Sequence, residues 1–140
     1  MSRFVLDCSV AVAWFFEDET DVYADAVMDA AVAGGAIVPC LWHHEIANAL
    51  IVAERRGRVT AAKSARYLSS LDALRIDLDS VPPAAGELLA VGRDFALSSY
   101  DAAYLHLAMR EGLPLATRDR ALEKAAATAG VERFAPPERP

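Results

Sequence analysis

Cysteine is scarce in this chain of 140 residues, with Cys8 and Cys40 the only two. They lack the close pairing and accompanying His spacing of a zinc module, so neither a thiolate metal centre nor a disulfide framework is expected, and both read as reduced thiols. Long apolar runs are missing as well. Although 54% of the residues are hydrophobic, no uninterrupted stretch approaches the roughly 18 to 20 residues that cross a bilayer. The apolar stretch after Arg3 meets Asp7 too soon to be the centre of a secretory signal. A soluble, cytoplasmic protein without membrane contact is expected. Positive charge is also in short supply: 14 Lys and Arg against 20 Asp and Glu give a net charge of −6. That argues against a protein that coats nucleic acid by bulk electrostatics. It leaves nucleic-acid chemistry open, because an acidic site that captures metal ions presents a positive centre to phosphate.

What is present is a regular alternation of short apolar segments with helical patterns. Arg3 to Cys8 reads as a buried strand, with Ser9 as the N-cap of a helix over Val10 to Phe16. A helix over Asp21 to Ala33 stops at Gly34-Gly35 before a strand at Ala36 to Val38. Leu41 to Arg56 is a strong helical pattern, Thr60 caps another running to about Leu74, and Ile76 to Leu78 forms a third strand. Pro82-Pro83 marks the entrance of a helix to about Phe95, and Ser98 or Ser99 caps Tyr100 to Arg110. A strand follows at Leu115 to Thr117, then a helix opened by Asp119, then a fifth, edge strand at Val131 to Phe134. This pattern predicts an α/β fold: a single domain over residues 1–135, whose central, mostly parallel sheet of four or five strands is flanked by helices, with 136–140 as a frayed tail. Such sheets place their sites beyond the carboxyl ends of the strands.

Four acids sit where a strand or loop hands over to a helix: Asp7 in FVLDCS, Glu45 in HEIANAL, Asp101 in LSSYDAAYLHLA and Asp119 in ATRDRAL. Each has an ordinary structural reading. Asp7 can be a turn residue, Glu45 and Asn48 a solvated polar stripe one helical turn apart, and Asp101 and Asp119 carboxylates favoured at helix N-termini. Taken as a set, they supply the hard oxygen ligands that Mg²⁺ or Mn²⁺ requires, while convergent His and Cys ligands are absent. Ser9, Asn48 and Thr117 are supporting candidates around them. His44-Glu45 opens like a zinc-protease motif, but Asn48 stands where the second His is needed. The three His residues have no ligand spacing and read as structural or exposed.

The four phrases, in this order and at these intervals, resemble the PIN-domain family, particularly the VapC-type ribonuclease toxins of type II toxin-antitoxin systems. The likeness spans nearly the whole chain. It implies a PIN-like fold, Mg²⁺-dependent or Mn²⁺-dependent endoribonuclease activity, homodimerisation, and neutralisation by a cognate VapB-like antitoxin in a hetero-oligomer. It also implies that Asp7, Glu45 and Asp101 are metal ligands and catalytic residues, with Asp119 a fourth acid whose contact can pass through water.

Arg55, Arg56, Arg58, Lys63 and Arg66 form a basic run that can guide RNA phosphates, and Arg118 and Arg120 flank the last acid. A solvated helix face also accounts for most of the run. Trp14, Phe15 and Phe16 read as core rather than as a groove for an antitoxin, and Tyr100 and Tyr104, at helical spacing, as packing groups rather than base-stacking residues. Two other functions fit parts of the pattern. Phosphoryl transfer through an aspartyl phosphate on Asp7 lacks the neighbouring second Asp of that motif, and a noncatalytic PIN-fold module that binds a partner remains the alternative.

Overall fold

The computed structural model describes residues 3–19 and 21–137, and its secondary structure follows the predicted alternation. Four short strands, β1 (Phe4–Leu6), β2 (Ala36–Val38), β3 (Ile76–Leu78) and β4 (Leu115–Ala116), form one sheet in the order β3-β2-β1-β4. Every pairing is parallel. Phe4 lies opposite Ala36, Val5 opposite both Ile37 and Leu115, and Val38 opposite Leu78.

Parallel neighbours require crossover connections, and helices supply them. Between β1 and β2 run α1 (Cys8–Ala13), a 3₁₀ turn at Glu17–Glu19 and α2 (Val22–Gly34). Between β2 and β3 run α3 (Leu41–Arg55) and α4 (Ala61–Asp72), and between β3 and β4 run α5 (Ala85–Phe95) and α6 (Ser99–Glu111). After β4 comes α7 (Arg120–Thr128). The chain therefore lays β2 and β3 to one side of β1 and then returns to place β4 on the other. The carboxyl ends of β1 and β4 flank the point where the two halves diverge, the place at which an open α/β sheet leaves a crevice.

Local chemistry sets most of the helix boundaries. Thr60 caps α4 by accepting from the Lys63 amide, Ser98 caps α6 through the Asp101 amide, and Asp119 caps α7 through Ala121 and Leu122. Gly112, at φ 64°, ends α6 in the left-handed conformation that glycine adopts at little cost. Three expected boundaries shift, one of them the end of α1, which falls at Ala13 rather than Phe16. Ser9 lies inside the first turn of α1 rather than at its cap, which falls on Asp7, so its hydroxyl is free for other work. The helix expected at Pro82-Pro83 starts at Ala85, with Ala84 at the cap.

The core is continuous. All residues of β1 and β2 are buried, and α6 contributes Ala102, Ala103, Tyr104, Leu105, Leu107 and Ala108. The fifth strand is a correction: Val131 to Phe134 makes only an isolated parallel bridge between Leu115 and Arg133, held by Leu115 N to Glu132 O at 3.0 Å and Phe134 N to Leu115 O at 2.8 Å. Pro136 and Pro137 follow at once and carry no N–H with which to extend a ladder. Phe134 instead stacks on Phe4, ring centroids 4.0 Å apart, closing the end of the core. Of the expected frayed tail, residues 138–140 lie outside the described residues. Among the described residues no helix is long and apolar enough to cross a membrane.

Candidate functional site

Asp7 follows β1 directly, and its amide donates to the Ala116 carbonyl at 2.9 Å, prolonging the β1–β4 pairing by one bond. The backbone thus carries the carboxylate to the divergence point of the sheet, where it is 5% exposed. Burial of a carboxylate needs donors, and two hydroxyls provide them. Ser9 Oγ donates to Asp7 Oδ2 at 2.6 Å and Thr117 Oγ1 donates to the same oxygen at 2.8 Å. These hydroxyls in turn accept from the next turn of chain: Arg118 N reaches Ser9 Oγ at 3.0 Å and Asp119 N reaches Thr117 Oγ1 at 3.0 Å. A small network therefore ties the ends of β1 and β4 together and fixes one oxygen of Asp7, leaving Oδ1 outside both bonds.

The other acids come from helices that reach the same end of the sheet. Glu45 lies one turn into α3, and the Tyr104 hydroxyl on α6 donates to its Oε1 at 2.5 Å. Asp101 occupies the first turn of α6, its amide satisfied by Ser98 Oγ at 3.2 Å. Asp119 caps α7 through Oδ1, bonded at 2.9 and 3.2 Å. Asp7, Glu45, Asp101 and Asp119 together line one open cleft of about 460 Å³, with Glu19 and Arg118 at its wall. Four segments far apart in the chain thus meet at one cleft.

Electrostatics at the cleft oppose full ionisation. Burial pushes the Asp7 carboxyl above its ordinary range, partly offset by the Ser9 and Thr117 hydrogen bonds and reinforced by the charges of Asp101 and Asp119. Glu45 is raised by burial too, with the Tyr104 hydroxyl acting against it and Asp7 and Asp101 acting with it. Asp101 is raised by burial and by Asp119, against the Ser98 contact. Beside them, burial, with Glu45 and Asp7 adding to it, pushes the Cys8 thiol up and disfavours its thiolate. Clustered carboxylates raised by one another are relieved by a cation. The donors are all oxygen, which suits a hard divalent ion of the Mg²⁺ or Mn²⁺ type. Among the described residues, however, no three acidic, imidazole or thiol groups are drawn together into a ready-made metal site. The chemistry of the set fits such an ion, and closing on it requires the side chains to gather.

Comparison with known proteins identifies the family of this fold. The family model described as PIN domain matches residues 4–128. This chain belongs to the PIN domain family. It is similar to a protein named Exonuclease VapC9 from Pyrobaculum aerophilum, 38% identical over 80 residues. That alignment takes in 56% of this chain and 58% of the relative's length. Among solved structures it is similar to PAE2754 from Pyrobaculum aerophilum, with a TM-score of 0.70 and 26% identity over 88% of this chain and 84% of that one.

Not every expected residue joins the PIN-domain cleft. Asn48 is exposed and lines an adjoining cavity with Glu45. Arg118 lines the cleft, but its guanidinium is engaged by Asp21 at 2.7 Å. Arg56 lies in a neighbouring cavity with Arg58, and Arg55 is exposed at the end of α3. Arg58 sits over the Phe16 ring and pairs with Asp18, and Phe15 packs against both Phe16 and Tyr67, but of the three aromatics expected in the core only Phe16 is buried, while Trp14 and Phe15 are half-buried and line with it a cavity of about 600 Å³. The paired reading of Tyr100 and Tyr104 as packing groups is half right: Tyr104 is fully buried, whereas Tyr100 is 65% exposed. Two further residues escaped the sequence reading. Tyr104 contributes its hydroxyl to Glu45, which helical spacing alone does not reveal. Glu19 brings an Oε2 that is buried without a hydrogen-bond partner among the described residues. Its only sequence signal is the acidic triplet at 17–19.

Proposed function

We propose that this chain is a divalent-metal-dependent endoribonuclease that hydrolyses RNA phosphodiester bonds, and that it acts in the cytoplasm as the toxin of a toxin-antitoxin pair. The observation that carries the reading is the convergence of Asp7, Glu45, Asp101 and Asp119 on one cleft at the divergence point of a PIN-domain sheet. In this reading the four acids are the catalytic residues and would hold Mg²⁺, with Mn²⁺ as a substitute. When bound, such an ion supplies positive charge to a phosphodiester oxygen and makes water more acidic. The chain's own residues do the positioning. Ser9 and Thr117 fix Asp7 Oδ2, Tyr104 fixes Glu45 Oε1, and Asn48 places its amide in the adjoining cavity. Arg55, Arg56 and Arg118 are the cationic side chains nearest in role to RNA phosphates, although Arg118 must first leave Asp21.

The named relative is an exonuclease, which favours attack from a chain end as a second reading. The shape of the cleft supports internal cleavage instead. One neighbouring cavity shares Glu45 and Asp101 with it and another shares Val12 and Glu19, so open surface continues beyond the acids for a strand to run along. A VapB-like antitoxin that covers the acids, and a homodimer, belong to the same proposal and are supported by the likeness to a VapC protein. The test is incubation of antitoxin-free protein with total cellular RNA, with and without Mg²⁺ or Mn²⁺, followed by mapping of new ends. Internal ends that need the metal and vanish in Asp7→Asn and Asp101→Asn variants are expected. Progressive shortening from a terminus selects the exonuclease reading, and unaltered cleavage by both variants rejects the assignment of the acids.

A further inference from the structure

An aromatic ring left in water beside an acidic cleft calls for an explanation. Tyr100, in the first turn of α6, is 65% exposed, while every other Tyr is at least half-buried. It lines a cavity of about 400 Å³ between α3 and the start of α6, together with Leu41, His44 and Asn48. Glu45 and Asp101 form the boundary between this cavity and the cleft, lining both. The volume falls within the roughly 300–1,000 Å³ of small-ligand sites. Its walls combine an aromatic face and a Leu side chain with a few polar groups, the mixture that takes a flat heteroaromatic ring rather than a bare phosphate.

Resting on the nuclease reading above, we infer that this cavity is a base-binding subsite: the unpaired base of an RNA nucleotide next to the scissile phosphate stacks on Tyr100, with its edge toward His44. The argument is one of continuity. A phosphate that approaches Asp101 and Glu45 brings its attached nucleoside within reach of the residue that adjoins Asp101 in the chain. Single-stranded RNA offers splayed bases that proteins capture on aromatic faces, whereas duplex RNA does not. Such stacking tolerates any base, so Tyr100 sets affinity and position, and His44 and Asn48, which can donate or accept at a base edge, bias the choice of nucleotide. Tyr100 is a positioning residue for the substrate and takes no part in the chemistry.

The test combines binding and turnover. A 5′-fluorescein-labelled, mixed-sequence 12-nucleotide single-stranded RNA is titrated with wild-type, Tyr100→Ala and Tyr100→Phe protein in EDTA, and the same RNA is then cleaved with Mn²⁺ under steady-state conditions. Because the ring makes little core contact, all three proteins should melt alike. Tyr100→Ala should weaken binding and raise KM on the order of tenfold, the size of one lost base stack, while Tyr100→Phe retains wild-type values. His44→Ala should shift the nucleotide preference of the cleavage sites. Wild-type turnover with an indifferent Tyr100→Ala variant overturns this inference and leaves the nuclease reading standing, as does equal loss in Tyr100→Phe, which would point to the hydroxyl. A loss of self-association in Tyr100→Ala with RNA affinity unchanged assigns the ring to a protein contact and also overturns it. A wild-type chain that neither binds nor cleaves RNA removes the nuclease reading, and this inference with it.

Discussion

The buried pair of Tyr104 and Glu45 shows how a residue can tune a site without reaching a substrate. Tyr104 is fully buried on the helix that packs on β1, and its hydroxyl is the donor that stabilises the ionised form of Glu45 against burial and against Asp7 and Asp101. Removing it in Tyr104→Phe leaves packing nearly intact and raises the Glu45 pKa further. A smaller share of Glu45 is then ionised at any given pH. The pH at which Mn²⁺ binding and cleavage reach half their maximum should therefore move upward, and stability should fall by about 1–2 kcal/mol from the lost charged hydrogen bond. A titration of Mn²⁺ affinity against pH separates this from a purely structural role, for which affinity would drop by the same factor at every pH. At this scale the sequence was legible only in part. The four acids stand in short phrases whose residue types and intervals are distinctive. The hydroxyl contacts of Ser9, Thr117 and Tyr104 depend on where side chains point across segments remote in the chain, which no local pattern carries.

At the scale of elements, the site exists because short strands stop early. β1 and β4 end directly before Asp7 and Thr117, so these two side chains are delivered by the first residues beyond a buried strand, while α3 and α6 bring Glu45 and Asp101 from helices. Helix periodicity and capping residues made most of this visible: Thr60, Ser98 and Asp119 all cap as predicted, whereas the extent of the last pairing depended on Pro136-Pro137 beyond it. Gly35 is a further point of delivery, joining α2 to β2. It adopts φ 81° and ψ 169°, and a Cβ there would lie 3.0 Å from the Arg75 carbonyl and 3.1 Å from the Arg75 Cβ. That same carbonyl accepts from Ala36 N at 2.7 Å at the start of the β2–β3 pairing. Gly35→Ala should therefore cost about 2–3 kcal/mol, combining backbone strain with displacement of a sheet hydrogen bond. Gly57 provides the control, since its φ is 70° but nothing lies within 4 Å of an added Cβ. Gly57→Ala should cost only about 1 kcal/mol. Urea denaturation of both variants checks this, and equal losses would show that crowding against Arg75 is unimportant.

Over the whole molecule, the cleft sets a conflict between stability and charge that a bound cation would relieve. Asp7, Glu45 and Asp101 all have folded pKa values above their ordinary ones, so across the interval between the two values the native state holds more protons than the unfolded state. Their contribution is then fully present below the ordinary carboxylate range and is lost as pH rises through the raised values. Asp79 works in the opposite direction: burial disfavours its charge, but the Arg110 guanidinium, at 2.6 and 3.1 Å, and the Val81 amide outweigh that and lower its pKa. Its stabilisation is present above the ordinary range and is lost only as pH falls through the depressed value, so the two effects occupy different windows. In EDTA, Tm should thus decline as pH is raised from about 4 toward neutrality, from the ordinary carboxylate range upward. Mn²⁺ or Mg²⁺ should raise Tm most at the upper end, because binding the ionised carboxylates stabilises only the folded chain. Asp7→Asn removes one buried charge, so its EDTA curve should be flatter and its response to Mn²⁺ much smaller. Thermal melts of both proteins across this pH range, with and without metal, measure the effect directly. Coincident wild-type curves in EDTA and Mn²⁺ would mean that the acids do not share an ion, since Asp7, Glu45 and Asp101 would then gain nothing from its presence.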